Sequence, residues 1–317
     1  MAALQAYARA GKVEGNFLNL ELSETGIYAV KLYPLGVPVH IVVDDEIPHQ
    51  ARPKAPLFAK YGEDNAIWPM IMEKAMAKLH GTYSRLEGGL GSEGLSYLNG
   101  SPFYAVTSSS ATESQYWEWV TGARRSRWLV TARAKCSGSD RSKHGLVSCQ
   151  TYSITDQAEL PNGARLYRLS NPWGREQYYG AYSDRARGHR ALPYSYLAWL
   201  KERGYPTEKA DDGEFWMTSK DFHRYTEAVT ANADVEELGW YHDWHLVLND
   251  DGDGGATGLW DHCGPGGAGD CVRYTGVVRN ESLEPNTIWI GLHTWEERTY
   301  GASGPSNACY QDERGSG

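Results

Sequence analysis

Five cysteines, Cys136, Cys149, Cys263, Cys271 and Cys309, are the strongest nucleophiles in this sequence. A thiol attacks carbonyl carbon once a neighbouring base or positive charge makes it a thiolate. Cys149 sits beside Gln150 in a predicted strand. Strand neighbours point to opposite faces, so Cys149 is expected to be a buried, inert thiol. A small and odd number of cysteines favours a reduced, intracellular setting over a disulfide framework. Cys263 and Cys271, with His262 beside them, match no standard zinc spacing and read as unpaired thiols. The glycine-rich run Gly88-Gly89-Leu90-Gly91 lacks the Lys and Ser/Thr of a phosphate-cradling loop and reads as a break in the chain.

These groups need elements to place them. Ala2 to Arg9 predicts a short, Ala-rich helix. Gly26 to Tyr33 alternates with period two, Pro34-Leu35-Gly36 turns, and Val37 to Asp45 returns as a second strand. Asn65 to Leu79 predicts a helix, capped by Asp64 or Asn65 and with Pro69 in its first turn. Ile67, Ile71, Ala75 and Leu79 form its apolar stripe, with Met72 and Met76 beside them as core packing. Thr112 to Arg125 reads as another helix. Ser126 to Ala134, Gly145 to Thr155 and Ala164 to Ser170 read as strands. Thr218 to Asp221 caps a helix over Phe222 to Tyr225. Beyond about residue 235, short β-like runs surround a glycine-rich stretch, Asp250 to Asp270, which predicts a second, all-β domain. Within it, Asn249-Asp250-Asp251-Gly252-Asp253-Gly254 opens like an EF-hand loop. Position twelve is Trp260 and not Glu, so a flexible acidic loop is the expected state.

Composition narrows the function. The chain has 317 residues, 31 Lys and Arg against 40 Asp and Glu, and a net charge of −9. An acidic balance argues against nucleic acid, which needs clustered cations to displace its counterions. The one basic cluster, Arg124, Arg125, Arg127 and Arg133, is interleaved with apolar residues and reads as a solvated face. No run of about 18 apolar residues predicts a membrane span. The 12% of aromatic residues can bury enough surface to make general disorder a poor description.

Six blocks, in order, resemble the calpain family of calcium-dependent, papain-like cysteine proteases. They are Val42 to Pro48; Trp68 to Leu79 with its Glu73-Lys74-Ala75 centre; Leu86-Glu87-Gly88-Gly89 with Ser92-Glu93-Gly94; Gly145-Leu146-Val147 with Tyr152-Ser153; Asn171-Pro172-Trp173-Gly174; and Asp212-Gly213-Glu214-Phe215-Trp216-Met217. They run through about residues 26 to 225. The resemblance implies an α+β, papain-like core over 1–230: a partial helical lobe and a β-rich lobe on either side of a cleft. Residues 231–317 would follow as a β-rich domain, an incomplete calpain β-sandwich. It also implies proteolysis of protein substrates, by a Cys at a helix N-terminus with a His oriented by an Asn amide.

Three departures from that pattern stand out. The family's nucleophile segment lies upstream of the hairpin, and Ala2-Ala3-Leu4 looks like the tail of its helix, so the Cys and its oxyanion donor are expected to be absent. Gln150 occupies the His position. An amide neither takes up a proton near neutral pH nor becomes a cation beside a thiolate. Asn171 keeps the Asn position, but with nothing to orient. Its turn and Trp173, read as a core anchor, then serve packing. The resemblance also implies calcium, held in the β lobe by Gln177, Asp184, the Ala210 carbonyl, Asp212 and Glu214, and in the other lobe by Glu93. Gln177 replaces a Glu, which weakens the set by one charge. No peptidase turnover is expected from this chain. The other readings are a non-catalytic calcium-binding scaffold, or pseudoprotease, with protein partners, and a gene-model fragment of an active calpain-type protease. An intracellular, cytoplasmic setting goes with all three.

Overall fold

The computed structural model describes residues 1–52, 55–62, 65–86, 89–136, 145–175, 178–208 and 212–233, all within the compact unit Met1–Trp240. The expectations for Gln177, Ala210, the acidic loop at Asn249–Gly254, and His262, Cys263 and Cys271 lie outside these residues. So does the second domain beyond residue 233.

Two apolar cores make two lobes. The helical lobe holds α1 (Ala2–Arg9), the antiparallel pair β1 (Ile27–Leu32) and β2 (Val39–Asp44), α2 (Trp68–His80) and α3 (Gly91–Asn99). A two-residue ladder, β3 (His49–Gln50) with β4 (Ala55–Pro56), lies between β2 and α2 in sequence. Leu4 and Tyr7 of α1, Val30 and Leu32 of β1, Ile71, Met72 and Ala75 of α2, and Leu95 and Leu98 of α3 share one core. β1 alternates as read: Tyr28, Val30 and Leu32 face inward. α2 starts at Trp68, three residues later than expected. Asn65 is left-handed (φ 61°), and the N-cap position falls to Ile67, which supplies no side-chain cap. Pro69 still occupies the first turn, where a missing N–H costs little.

The other lobe is a six-stranded antiparallel sheet. Its strands are β5 (Phe103–Thr107), β6 (Leu129–Ala134), β7 (Thr151–Glu159), β8 (Arg165–Ser170), β9 (Glu214–Thr218) and β10 (Thr226–Asn232), in the order β5-β10-β6-β7-β8-β9. α4 (Glu113–Arg125) and α6 (Ser219–Tyr225) cover one face, and α5 (Tyr194–Glu202) closes a smaller core beside β8 and β9. α4 begins on a full capping box: Thr112 accepts from the Gln115 N–H, and Gln115 accepts from the Thr112 N–H at 2.8 Å. Thr218 caps α6 by accepting from the Asp221 N–H. The Thr218 cap was expected from sequence. Arg124 departs from the solvated face expected of it. It donates to the Ile154 carbonyl and faces Asp156, and burial lowers its pKa against the opposing pull of that carboxylate. Among the described residues, no helix is long and apolar enough to cross a membrane.

Period two divides the sheet into unlike faces. Val130, Ala132, Tyr152, Ile154, Tyr167, Leu169, Phe215 and Met217 build the aromatic core under α4 and α6. The residues between them form a polar row. Thr230 pairs with Thr131, Thr131 with Ser153, Ser153 with Ser170, and Ser170 with Glu214. Thr131, Ser153, Ser170 and Glu214 are all buried, because α1 and α3 of the helical lobe lie across this row. Gly91, at the start of α3, allows the approach: a Cβ there would stand 2.5 Å from the Thr131 hydroxyl and 2.8 Å from the Thr151 methyl. Gly94 does the same against Ala3.

Candidate functional site

The site expected from sequence depends on how β7 and β8 present Gln150 and Asn171. The β7–β8 ladder ends with Ser153 opposite Ser170; Gln150 directly precedes β7 and Asn171 directly follows β8. The Gln150 carbonyl still accepts from the Ala134 N–H at 2.8 Å, so the residue is held in the β6–β7 ladder although β7 itself starts at Thr151. Gln150 thus leads into β7 and Asn171 leaves β8, two strands that pair with each other.

Each end of the Asn171 amide bonds its own turn. Its Oδ1 accepts from the Trp173 N–H at 3.0 Å and its Nδ2 donates to the Arg175 carbonyl at 3.1 Å. Its own N–H donates to the Gly213 carbonyl, and its carbonyl accepts from the Gly174 N–H. The side chain is completely buried. Gly213 (φ +87°) clamps this turn, since a Cβ there would meet the Asn171 carbonyl oxygen and the Arg175 nitrogen at 2.9 Å. Asn171 thus folds the Asn-Pro-Trp-Gly turn. Trp173 differs from expectation: it is 55% exposed and no core anchor. The turn made by Asn171 and Pro172 carries it out of the sheet before its indole can fold back.

Cys149 also corrects the sequence reading. The run Gly145 to Gln150 is not strand: Cys149 is left-handed (φ 58°), and the Gln150 N–H donates back to the Val147 carbonyl. The cysteine is exposed and bonded to Cys136, at the exit of β6. A turn and not a ladder leads into β7, so strand alternation never acts on Cys149. Among the described residues, no thiol is therefore free. His80 packs edge-on against Tyr97, and His223 bonds the Ala111 carbonyl at 2.7 Å, so neither serves as a base here.

The carboxylates expected to hold calcium are only partly brought together. Glu214 begins β9, buried, with one oxygen on Arg9 of α1 and the other on Arg168 of β8. Asp212 precedes it and accepts from the Glu214 N–H at 2.9 Å. Burial lowers the pKa of Arg168, opposed by Asp156, Asp212 and Asp184, so these acids surround a guanidinium. Glu93 is far off in fold terms, buried in the first turn of α3. Among the described residues, no three His, Cys, Asp or Glu side chains converge closely enough to hold a metal ion. Sequence reasoning missed Arg9, Arg168 and Gln5, which accepts from the Ser153 hydroxyl at 3.2 Å. Their signal was faint: Gln5 and Arg9 are one helical turn apart, a spacing that places both on one face of α1.

A groove of about 520 Å³ between β2 and α2, lined by Val42, Lys74, Lys78 and Tyr83 among others, belongs to the helical lobe and holds none of these residues.

Residues 6–232 match the family described as calpain family cysteine protease. Calpain-8 of Rattus norvegicus is 31% identical over 265 residues, which are 80% of this chain and 35% of that protein. Calpain-8 of Mus musculus is 32% identical over 303 residues, 90% of this chain and 38% of the relative. A calpain-type cysteine protease of Oryza sativa subsp. japonica is 31% identical over 238 residues, 72% of this chain and 10% of its own length. The chain thus spans little more than a third of the first two relatives, and a tenth of the third.

Proposed function

The chain belongs to the calpain family of cysteine proteases, and on that premise we propose that these 317 residues form a calpain-type core that engages protein without hydrolysing it. One observation carries the reading: the position that the family gives to a proton-accepting His holds Gln150, while the Asn171 amide bonds its own turn. Peptide hydrolysis at a cysteine needs a thiolate, a group to take its proton and return it to the leaving amine, and donors for the oxyanion. Gln150 can donate or accept a hydrogen bond but cannot move a proton. What the arrangement retains is a scaffold of two lobes on either side of a polar row, with Trp173 exposed next to Asn171. An exposed indole beside a strand end suits an extended polypeptide, by stacking and backbone bonding.

Residues 1–230 are proposed as this core and residues 231–317 as a β-rich domain of calpain β-sandwich type. The intracellular setting is carried over from the family. Alkylation of the protein in intact cells, finding Cys136 and Cys149 as free thiols, would agree with it, and finding them bonded throughout would contradict it.

Calcium regulation goes with the family as a whole. Asp184, Asp212 and Glu214, with Gln177 and Ala210 in sequence, are the residues that would hold the ion in this chain. Their chemistry here does not fit it, because both oxygens of Glu214 face guanidinium groups. The proposal therefore routes no step through calcium.

Cleavage of fluorescently labelled casein tests the reading, with the full chain at equal concentrations in calcium and in chelator. No release above buffer is expected, and none after Gln150→His alone. Release that disappears on alkylating the thiols would overturn it.

A further inference from the structure

We infer that Arg168 and Arg9 stand where the family's calcium would act, so that the two lobes of this chain are joined by the protein's own cations and not by a metal. Glu214 is the hinge of the argument. It is buried at the start of β9, one oxygen on Arg168 from the neighbouring strand and the other on Arg9 from the helical lobe. Its carboxylate thus links the sheet to α1. Gln5, one turn back on α1, makes a second link through the Ser153 hydroxyl at 3.2 Å. α1 is thereby fixed along the polar row from β7 to β9.

Charge explains why a dication would be excluded. Calcium needs about six to eight oxygens. In this lobe Asp184, Asp212 and Glu214 are the carboxylates, and two guanidiniums already hold Glu214. Arg168 is buried, and Asp156 draws on it as well. An ion seated on Glu214 would have to displace Arg168 or Arg9. Displacing Arg168 would strand a buried cation beside a dication, which is costly in a low-dielectric setting. Each guanidinium meets one oxygen of Glu214, Arg9 the one and Arg168 the other. The latch does not depend on whether the chain cleaves peptides.

The test uses the full chain with calcium chloride, read by calorimetry and by thermal melts in calcium and in chelator. The wild type is expected to show no saturable heat and the same melting temperature in both. Arg168→Met is expected to gain saturable calcium binding, at least about tenfold tighter than any wild-type response, with a melt that rises in calcium. Arg9→Met, at a half-exposed position that puts the fold at less risk, is expected to gain a weaker response of the same kind. In either background Asp212→Asn should abolish the gain. Saturable calcium binding by the wild type that Asp212→Asn or Glu214→Gln removes would overturn the inference. So would arginine variants that fold and remain indifferent to calcium.

Discussion

Replacing Asn171 with Ala separates a residue that builds its turn from one that orients a catalytic base. The side chain is fully buried and makes two hydrogen bonds, at 3.0 Å from the Trp173 N–H and at 3.1 Å to the Arg175 carbonyl. Each such bond contributes about 1 kcal/mol net, and a partner left unsatisfied where water reaches it poorly costs about 1–3 kcal/mol. The Trp173 and Arg175 groups are only part-buried, so the lower end applies to both. Asn171→Ala should therefore cost about 2–3 kcal/mol. Asn171→Asp keeps the acceptor for Trp173 but sets a buried carboxylate oxygen against the Arg175 carbonyl, so it should cost at least as much. Urea unfolding followed by tryptophan fluorescence measures this, as a lower midpoint with an unchanged slope. If both variants unfold within about 0.5 kcal/mol of the wild type, the turn does not rest on Asn171 and the reasoning fails.

Three other outcomes follow from the same structure. Gly213→Ala should lose about 1–3 kcal/mol, since its φ of +87° disfavours a side chain and the new Cβ would meet backbone at 2.9 Å; differential scanning calorimetry reads this as a lower melting temperature. Glu73 accepts from the Ala59 N–H at 2.9 Å, and burial raises its pKa. The folded state then holds the Glu73 proton more tightly than the unfolded chain, so stability should fall as pH rises through and above the usual glutamate range. Glu73→Gln should flatten that slope while Glu73→Ala lowers stability at every pH, as urea midpoints from acid to neutral pH would show. Reducing Cys136–Cys149, which are 13 residues apart in sequence, should cost about 2–3 kcal/mol by freeing the unfolded chain. A Cys136→Ser, Cys149→Ser double variant should then melt identically with and without reductant.

What the sequence disclosed depended on how local the cause was. α1 is an Ala-rich run whose ends are set nearby, and its expected and observed limits coincide at Ala2 and Arg9. The Thr112–Gln115 box and the Thr218 cap are bonds across three residues, visible as residue types at fixed spacing. α3 was missed because Gly91 and Gly94 signal a loop. Contacts from distant residues select these glycines, with Thr131 and Ala3 leaving no room for a side chain. The strand read from Gly145 failed at Cys149, where a left-handed residue and a cross-link to Cys136 replace alternation. At the site, Gln150 and Asn171 were singled out by resemblance, and they stand at the same end of the paired strands β7 and β8. The partners of Glu214 were not legible, because Arg9 in α1 and Arg168 in β8 are far apart in the chain and come from different lobes.

The central claim, a protease core that holds Gln150 where the family holds its base, is tested most directly by covalent capture. The full chain, reduced and with calcium supplied, is incubated with a peptidyl epoxide that mimics a protein substrate, and its intact mass is recorded. The account predicts an unchanged mass, both for the wild type and for Gln150→His. A stoichiometric adduct on one cysteine, formed faster than with free thiol and slowed by competing peptide, would contradict it.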